Sequence, residues 1–211
     1  MNLDTIVVAP HSDDAALSLG GAITASRLGR AAVIVVFSTT NFRVGGLGAP
    51  ELVSALRRRE DKNALLPWIN SLVFLDQADH SLKTRGPGDA QIVIEKLESA
   101  LQNLCWGPDT LFLFPLGLGD HPDHLLLHQI GQQFSLPCRK GYYEDLPYAA
   151  TESKESCKFG SKDKLTRVAI ASNFDAKARL LRFYRSQGLS IYMPALERYH
   201  SESSGEVIYL D

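Results

Sequence analysis

Short apolar runs alternate with longer amphipathic segments along this chain. Thr5 to Pro10, Ala31 to Thr39, Ser71 to Leu75, Asp109 to Pro115 and Pro137 to Tyr143 are rich in β-branched, aliphatic and aromatic residues. Thr5 to Pro10 is apolar on both faces of a would-be strand, the pattern of a central parallel strand covered on either side. Between the runs, apolar positions recur at helical spacing. Asp14 to Leu28, Glu51 to Leu66, Asp89 to Cys105, His124 to Phe134 and Phe174 to Ser186 are the predicted helices. In the third of these, Ile92, Val93, Leu97, Leu101 and Leu104 share one face. Leu165 to Ser172 reads as a further strand with antiparallel pairing open to it, and Leu196 to Leu210 as an irregular tail ending in the strand EVIYL.

Strand and helix in repeated alternation predict an α/β fold. The expectation is one Rossmann-like domain over residues 1–211, with a mostly parallel central sheet and helices on both faces. No repeat and no linker divides it. Three polar stretches read as loops: Thr39 to Pro50, rich in Gly and Asn; Asp76 to Gly88; and Thr151 to Lys164.

In this architecture ligands gather at the C-terminal ends of the strands, and two polar clusters fall there. The first apolar run stops at Pro10 and is followed by His11, Ser12, Asp13 and Asp14. The fourth stops at Pro115 and is followed, after Leu-Gly-Leu-Gly, by Asp120, His121, Pro122, Asp123 and His124. A catalytic divalent metal needs three protein ligands and an open position. His11 and Asp14 are three apart and share a face if their turn is helical; His124 completes a His-Asp-His set suited to Zn²⁺, with Fe²⁺ or Mn²⁺ as alternatives. Asp13 is then free to take a proton from water. His121 is able to steady an oxyanion or protonate a leaving amine, with Asp123 or Asp120 orienting an imidazole. The plainer reading is that Ser12 or Asp13 caps the helix beginning at Asp14, and that the second cluster is a polar turn. Each cluster alone is weak; together they supply what the other lacks.

Composition narrows the picture. The 211 residues are 45% hydrophobic and 22% charged, with a net charge of −2, so there is no basic footprint for nucleic acid. No apolar run approaches the ~20 residues of a membrane span. The start, MNLDTIVVAP, lacks a basic signal region, which sets cytoplasmic location as the expectation. Cys105, Cys138 and Cys157 are scattered and odd in number, the pattern of free thiols.

PHSDDAALSLGG followed by GDHPDH resembles the LmbE-like or PIG-L family of zinc-dependent N-acetylglucosamine deacetylases. RRRED (Arg57 to Asp61), LDQAD (Leu75 to Asp79), YYEDLPYA and KARLLRFYRSQ are similar to further family elements in the same order. The resemblance implies that His11, Asp14 and His124 bind the metal, that Asp13 is the general base, and that His121 polarises the amide or assists the leaving amine. It further implies substrate contacts from Arg57 and the acidic turn at Asp79, with Asp123 behind the imidazoles. Its reaction is hydrolysis of an N-acetyl or related acyl group on an amino sugar; alternatives are a non-sugar amide or a catalytically weak sugar-binding member. The partner it implies is a small N-acyl sugar or conjugate; a homo-oligomer is compatible with it. Two positions depart from the usual HPDDE: Ser12 stands for Pro and Ala15 for Glu. A dinucleotide-binding protein is disfavoured, because GxGxxG is missing from the first turn and His and Asp stand there instead.

Overall fold

The computed structural model describes residues 1–135, 137–151 and 165–211. The loop expected over Thr151 to Lys164, and Cys157 within it, lie outside the described residues except for Thr151 itself.

The seven-stranded sheet has the order β5-β2-β1-β6-β7-β9-β8. Its first five members, β5 (Ser71–Phe74), β2 (Ala31–Val35), β1 (Thr5–Ala9), β6 (Leu111–Pro115) and β7 (Arg139–Tyr143), run parallel. The last two, β9 (Glu206–Leu210) and β8 (Thr166–Ile170), add antiparallel pairings. The α/β fold and its mostly parallel sheet are therefore as the apolar runs indicate. Every residue of β1 and β2 is buried, which requires cover on both faces of the sheet centre.

The helices are α1 (Asp14–Thr24), α2 (Pro50–Leu65), α3 (Asp89–Leu101), α4 (Pro122–Gln133), the single turn α5 (Tyr148–Thr151), α6 (Phe174–Leu181) and α7 (Met193–Ser203). α1 packs on α2 and α6, and α3 packs on α4. Gly21 lets the chain just ahead of α6 lie close against α1: a Cβ there would lie 2.7 Å from Ser172 Oγ. The same spot holds a buried polar knot. Glu206 of β9 accepts from the Gly21 and Ala22 amides at 2.9 and 2.7 Å and from Lys177 Nζ of α6 at 2.8 Å.

Several local expectations need correction. Residues 39–50 carry a small hairpin, β3 (Phe42–Arg43) with β4 (Gly46–Leu47). The stretch from Leu196 is not an irregular tail. It lies in α7, which has a proline in its first turn and buries Leu196 and Tyr199, three apart on one face. α1, α3 and α6 each end several residues earlier than the apolar spacing suggests. Neither Ser12 nor Asp13 caps α1 through its side chain. Among the described residues no helix is long and apolar enough to cross a membrane.

The chain builds outward from β1 to β2 and β5, then returns to the other side of β1 as β6. The C-terminal ends of β1 and β6 therefore sit side by side where the strand order reverses, the position at which this architecture opens a crevice. The two polar clusters follow those two strand ends.

Candidate metal centre

Pro10 closes β1, and the next residues make a tight turn into α1. Asp14 Oδ2 accepts from the His11 amide at 2.8 Å. Asp13 sits at φ 100°, ψ −31°, a backbone region that costs a non-glycine residue of order 1–3 kcal/mol. Two residues of α2, four apart on its inner face, hold it there. The Asp13 amide donates to Asp61 Oδ1 at 3.3 Å. Arg57 Nη2 donates to the Ser12 carbonyl at 2.6 Å and lies 3.4 Å from Asp13 Oδ1. Tyr184 anchors Asp61 in turn, its hydroxyl 2.9 Å from Oδ1.

The second cluster is delivered by a turn after β6 in which Gly117 and Gly119 take φ of 78° and 82°. A Cβ on Gly119 would penetrate the Tyr148 ring, at 2.2 Å from its nearest atom. α4 begins at Pro122, with His121 as its cap: the Asp123 amide donates to His121 Nδ1 at 3.3 Å. His124 then falls in the first turn, its ring 5.3 Å from that of His11.

Asp14 Oδ2 lies 3.2 Å from His11 Nδ1 and 3.3 Å from His124 Nε2. Ligands about 2.1 Å from a tetrahedral metal are spaced at about 3.4 Å, so both separations from Asp14 suit ligands of one ion. The other nitrogen of each imidazole meets a fully buried carboxylate. His11 Nε2 is 2.8 Å from Asp123 Oδ2, and His124 Nδ1 is 2.6 Å from Asp145 Oδ1. This carboxylate–histidine arrangement fixes which nitrogen faces the centre and raises its basicity. A second possible set replaces Asp14 by His121: ligand atoms of His11, His121 and His124 lie within 4.8 Å of one another. Asp14 is the group that lies within 3.3 Å of both His11 and His124.

The charges fit a cation at this point. Burial opposes ionisation of Asp14, but His124 and His11 outweigh it and hold the carboxyl far below its usual range. Burial also opposes a charge on His124, and Asp14 with Asp145 overcomes it, pushing the imidazole up to about 10. Burial likewise acts against a charge on His11, and its hydrogen bonds to Asp123 and Asp14 reverse the balance upward. Two imidazoles seeking positive charge around one carboxylate are what a divalent ion satisfies without protons. His121 behaves differently: burial and the neighbouring His11 and His124 push it down to about 4. Asp13 is pushed up to about 7 by burial, against the pull of Arg57.

The structure brings His11, Asp13, Asp14, His121, Asp123 and His124 together. It also resolves one choice, since Asp120 is exposed while Asp123 is fully buried against His11. Arg57 is buried against Ser12 and Asp13. Asp79 is buried at the start of the following turn, accepting from the Ser81 amide at 3.1 Å. His128, four residues past His124, turns away to the Pro115 carbonyl and Gln132. Asp145, Asp61, Arg85 and Tyr148 were not among the expected metal ligands, catalytic groups or residues behind them. Arg85 donates to Asp123 and to the Ala78 carbonyl, with its guanidinium 4.2 Å from the Phe37 ring centre. The Tyr148 ring stands edge-on to His124 at 5.5 Å. Two of these had a signal in the sequence. Asp61 is one helical turn from Arg57, and Asp145 follows a strand end beside the other two.

Comparison with known proteins identifies the family and the fold. The family model PIG-L, described as GlcNAc-PI de-N-acetylase, matches residues 6–135. The 2'-N-acetylparomamine deacetylase of Streptomyces fradiae is 33% identical over 165 residues, 69% of this chain and 57% of that protein. This chain thus aligns with little more than half the length of that relative. A deacetylase of the teicoplanin biosynthesis pathway, solved as a bog complex, superposes with a TM-score of 0.78 at 18% identity, covering 98% of this chain and 96% of its own. The zinc-inhibited form of teicoplanin deacetylase Orf2 gives 0.76 at 18%, covering 98% and 97%. At these identities the structural likeness speaks for the fold. The chain belongs to the PIG-L family of GlcNAc-PI de-N-acetylases.

Proposed function

We propose that this protein removes an N-acetyl or related acyl group from an amino sugar or sugar conjugate by hydrolysis at a divalent metal held by His11, Asp14 and His124. The observation that carries the reading is Asp14 Oδ2 standing 3.2 and 3.3 Å from the inward nitrogens of His11 and His124, with the carboxyl of the adjacent Asp13 left outside that set. Family membership supports de-N-acetylation, and the name of the Streptomyces fradiae relative supports an N-acetylated amino sugar as substrate. Zinc is the first candidate, with Fe²⁺ and Mn²⁺ suited to the same donors.

When bound, the ion polarises the acyl carbonyl and lowers the pKa of water toward ~7. Asp13 is the general base. Its pKa near 7 matches proton abstraction at neutral pH, and Arg57 beside it favours the anionic form. Arg57, buried against Ser12 and Asp13, is assigned here to holding that carboxylate rather than to substrate. His121 is neutral near pH 7, and its Nδ1 is occupied by the Asp123 amide. Its proton therefore sits on Nε2, where it donates to the oxyanion and polarises the amide. Asp123 and Asp145 keep His11 and His124 in their ligating tautomers. Asp79 fixes the turn over the site through Ser81 and so shapes the substrate side.

The test is a panel of N-acetylated amino sugars and simple amides incubated with metal-loaded protein, scored for free amine and acetate in equal amounts. Release from one or more N-acetyl sugars is expected. Faster release from an amide with no sugar would instead favour the non-sugar amidase reading. Stoichiometric metal with no amine from any substrate would leave a sugar-binding member without catalysis.

A further inference from the structure

On the far side of α2 from the metal centre lies a cavity of about 650 Å³, between α2 and the end of α6. Arg59, Arg179, Arg182 and Arg185 line it, with Glu60 and Phe183. All four arginines are exposed, and none has a hydrogen bond or ion pair from its guanidinium among the described residues. This is unlike the other arginines of the region. Arg57, Arg58 and Arg85 are engaged by Asp13, Asp76 and Asp123 respectively. One acid is in the wall: Glu60, whose oxygens accept from the Ser186 amide at 2.8 Å and from its hydroxyl at 2.6 Å rather than from an arginine. A chain of net charge −2 thus gathers four guanidinium groups against one carboxylate around one concavity.

Isolated surface arginines are solvated and call for no ligand. Four converging on one hollow repel each other, and their planar forks match phosphate oxygens in pairs. The volume lies within the ~300–1,000 Å³ of small-molecule sites, which favours a small ligand over a nucleic-acid strand. Phe183, 49% exposed beside the arginines, offers a ring face to a planar group. We propose that this cavity binds a small polyphosphate ligand with a planar group attached, of the nucleoside polyphosphate class. The site is separate from the metal centre but wired to it. Residues 182–186 carry Arg182 and Arg185 on the cavity side, and between them Tyr184, whose hydroxyl holds Asp61 behind the general base.

Calorimetric titration of the metal-loaded protein with ATP, tripolyphosphate and adenosine tests this at fixed ionic strength. ATP and tripolyphosphate are expected to bind once per chain and to weaken as salt is raised. Arg182→Gln with Arg185→Gln should weaken both by about tenfold or more, whereas Arg58→Gln, outside the cavity, should not. Phe183→Ala should weaken ATP and spare tripolyphosphate. These side chains are exposed, so the variants are expected to fold, which circular dichroism checks. No binding of either phosphate compound at millimolar concentration would overturn the proposal, as would binding undiminished in the double variant. A single-stranded oligonucleotide binding more tightly than ATP would overturn the small-ligand assignment.

Discussion

Asp145→Asn removes a charge that never touches the proposed ion. Asp145 is fully buried; Oδ1 meets His124 Nδ1 at 2.6 Å, and Oδ2 accepts from the Leu118 amide at 3.1 Å. Asparagine keeps the shape and can still accept from His124 through its carbonyl oxygen. Its amide nitrogen then faces the Leu118 N–H, donor against donor, and that buried N–H loses its acceptor. An unsatisfied buried group costs about 1–3 kcal/mol. At about 2–4 °C per kcal/mol for a domain of this size, Tm in the presence of chelator should fall by about 2–12 °C. The imidazole also loses the anion that makes Nε2 basic. Outer carboxylates of this kind are worth about 10–100-fold in metal affinity, or about 1.4–2.8 kcal/mol. Competition with a chromophoric chelator reads the affinity, and differential scanning fluorimetry reads Tm. If Asp145→Asn bound zinc as tightly as the parent, His124 would not be a ligand supported in the manner described.

Other perturbations probe the frame around the site. Lys177→Met leaves the Glu206 carboxylate buried with only the Gly21 and Ala22 amides as partners. Breaking such a pair typically costs about 3–5 kcal/mol, which urea denaturation should show as an earlier midpoint. Gly119→Ala places a Cβ inside the Tyr148 ring at φ 82°. It should cost about 1–3 kcal/mol and displace Tyr148 from the edge of His124, visible in Tm and in a crystal structure of the variant.

The parallel core was legible because its central strands are apolar on both faces, a pattern that leaves little choice of element. The two clusters were legible as a site because each follows such a strand, and the doubly wound order brings those ends together. α7 was hidden by its polar sequence, MPALERYHSES, of which Leu196 and Tyr199 are the residues that bury. The capping reading of Ser12 and Asp13 failed because tertiary partners override it: Arg57 and Asp61 hold Asp13 in a left-handed conformation that no local signal announces. Asp145 and Arg85 escaped for a similar reason. They reach His124 and Asp123 across 21 and 38 residues of chain, and a single sequence has no means of pairing them.

The most direct measurement compares the parent protein with Asp13→Asn on the best N-acetyl sugar of the panel, with the metal content of both determined by mass spectrometry. The expected result is one ion per chain in each, with acetate release slowed by about 10²–10⁴-fold in the variant. Full activity in Asp13→Asn, or a metal-loaded parent that releases no acetate, would contradict the central claim that Asp13 drives hydrolysis beside a His11–Asp14–His124 metal.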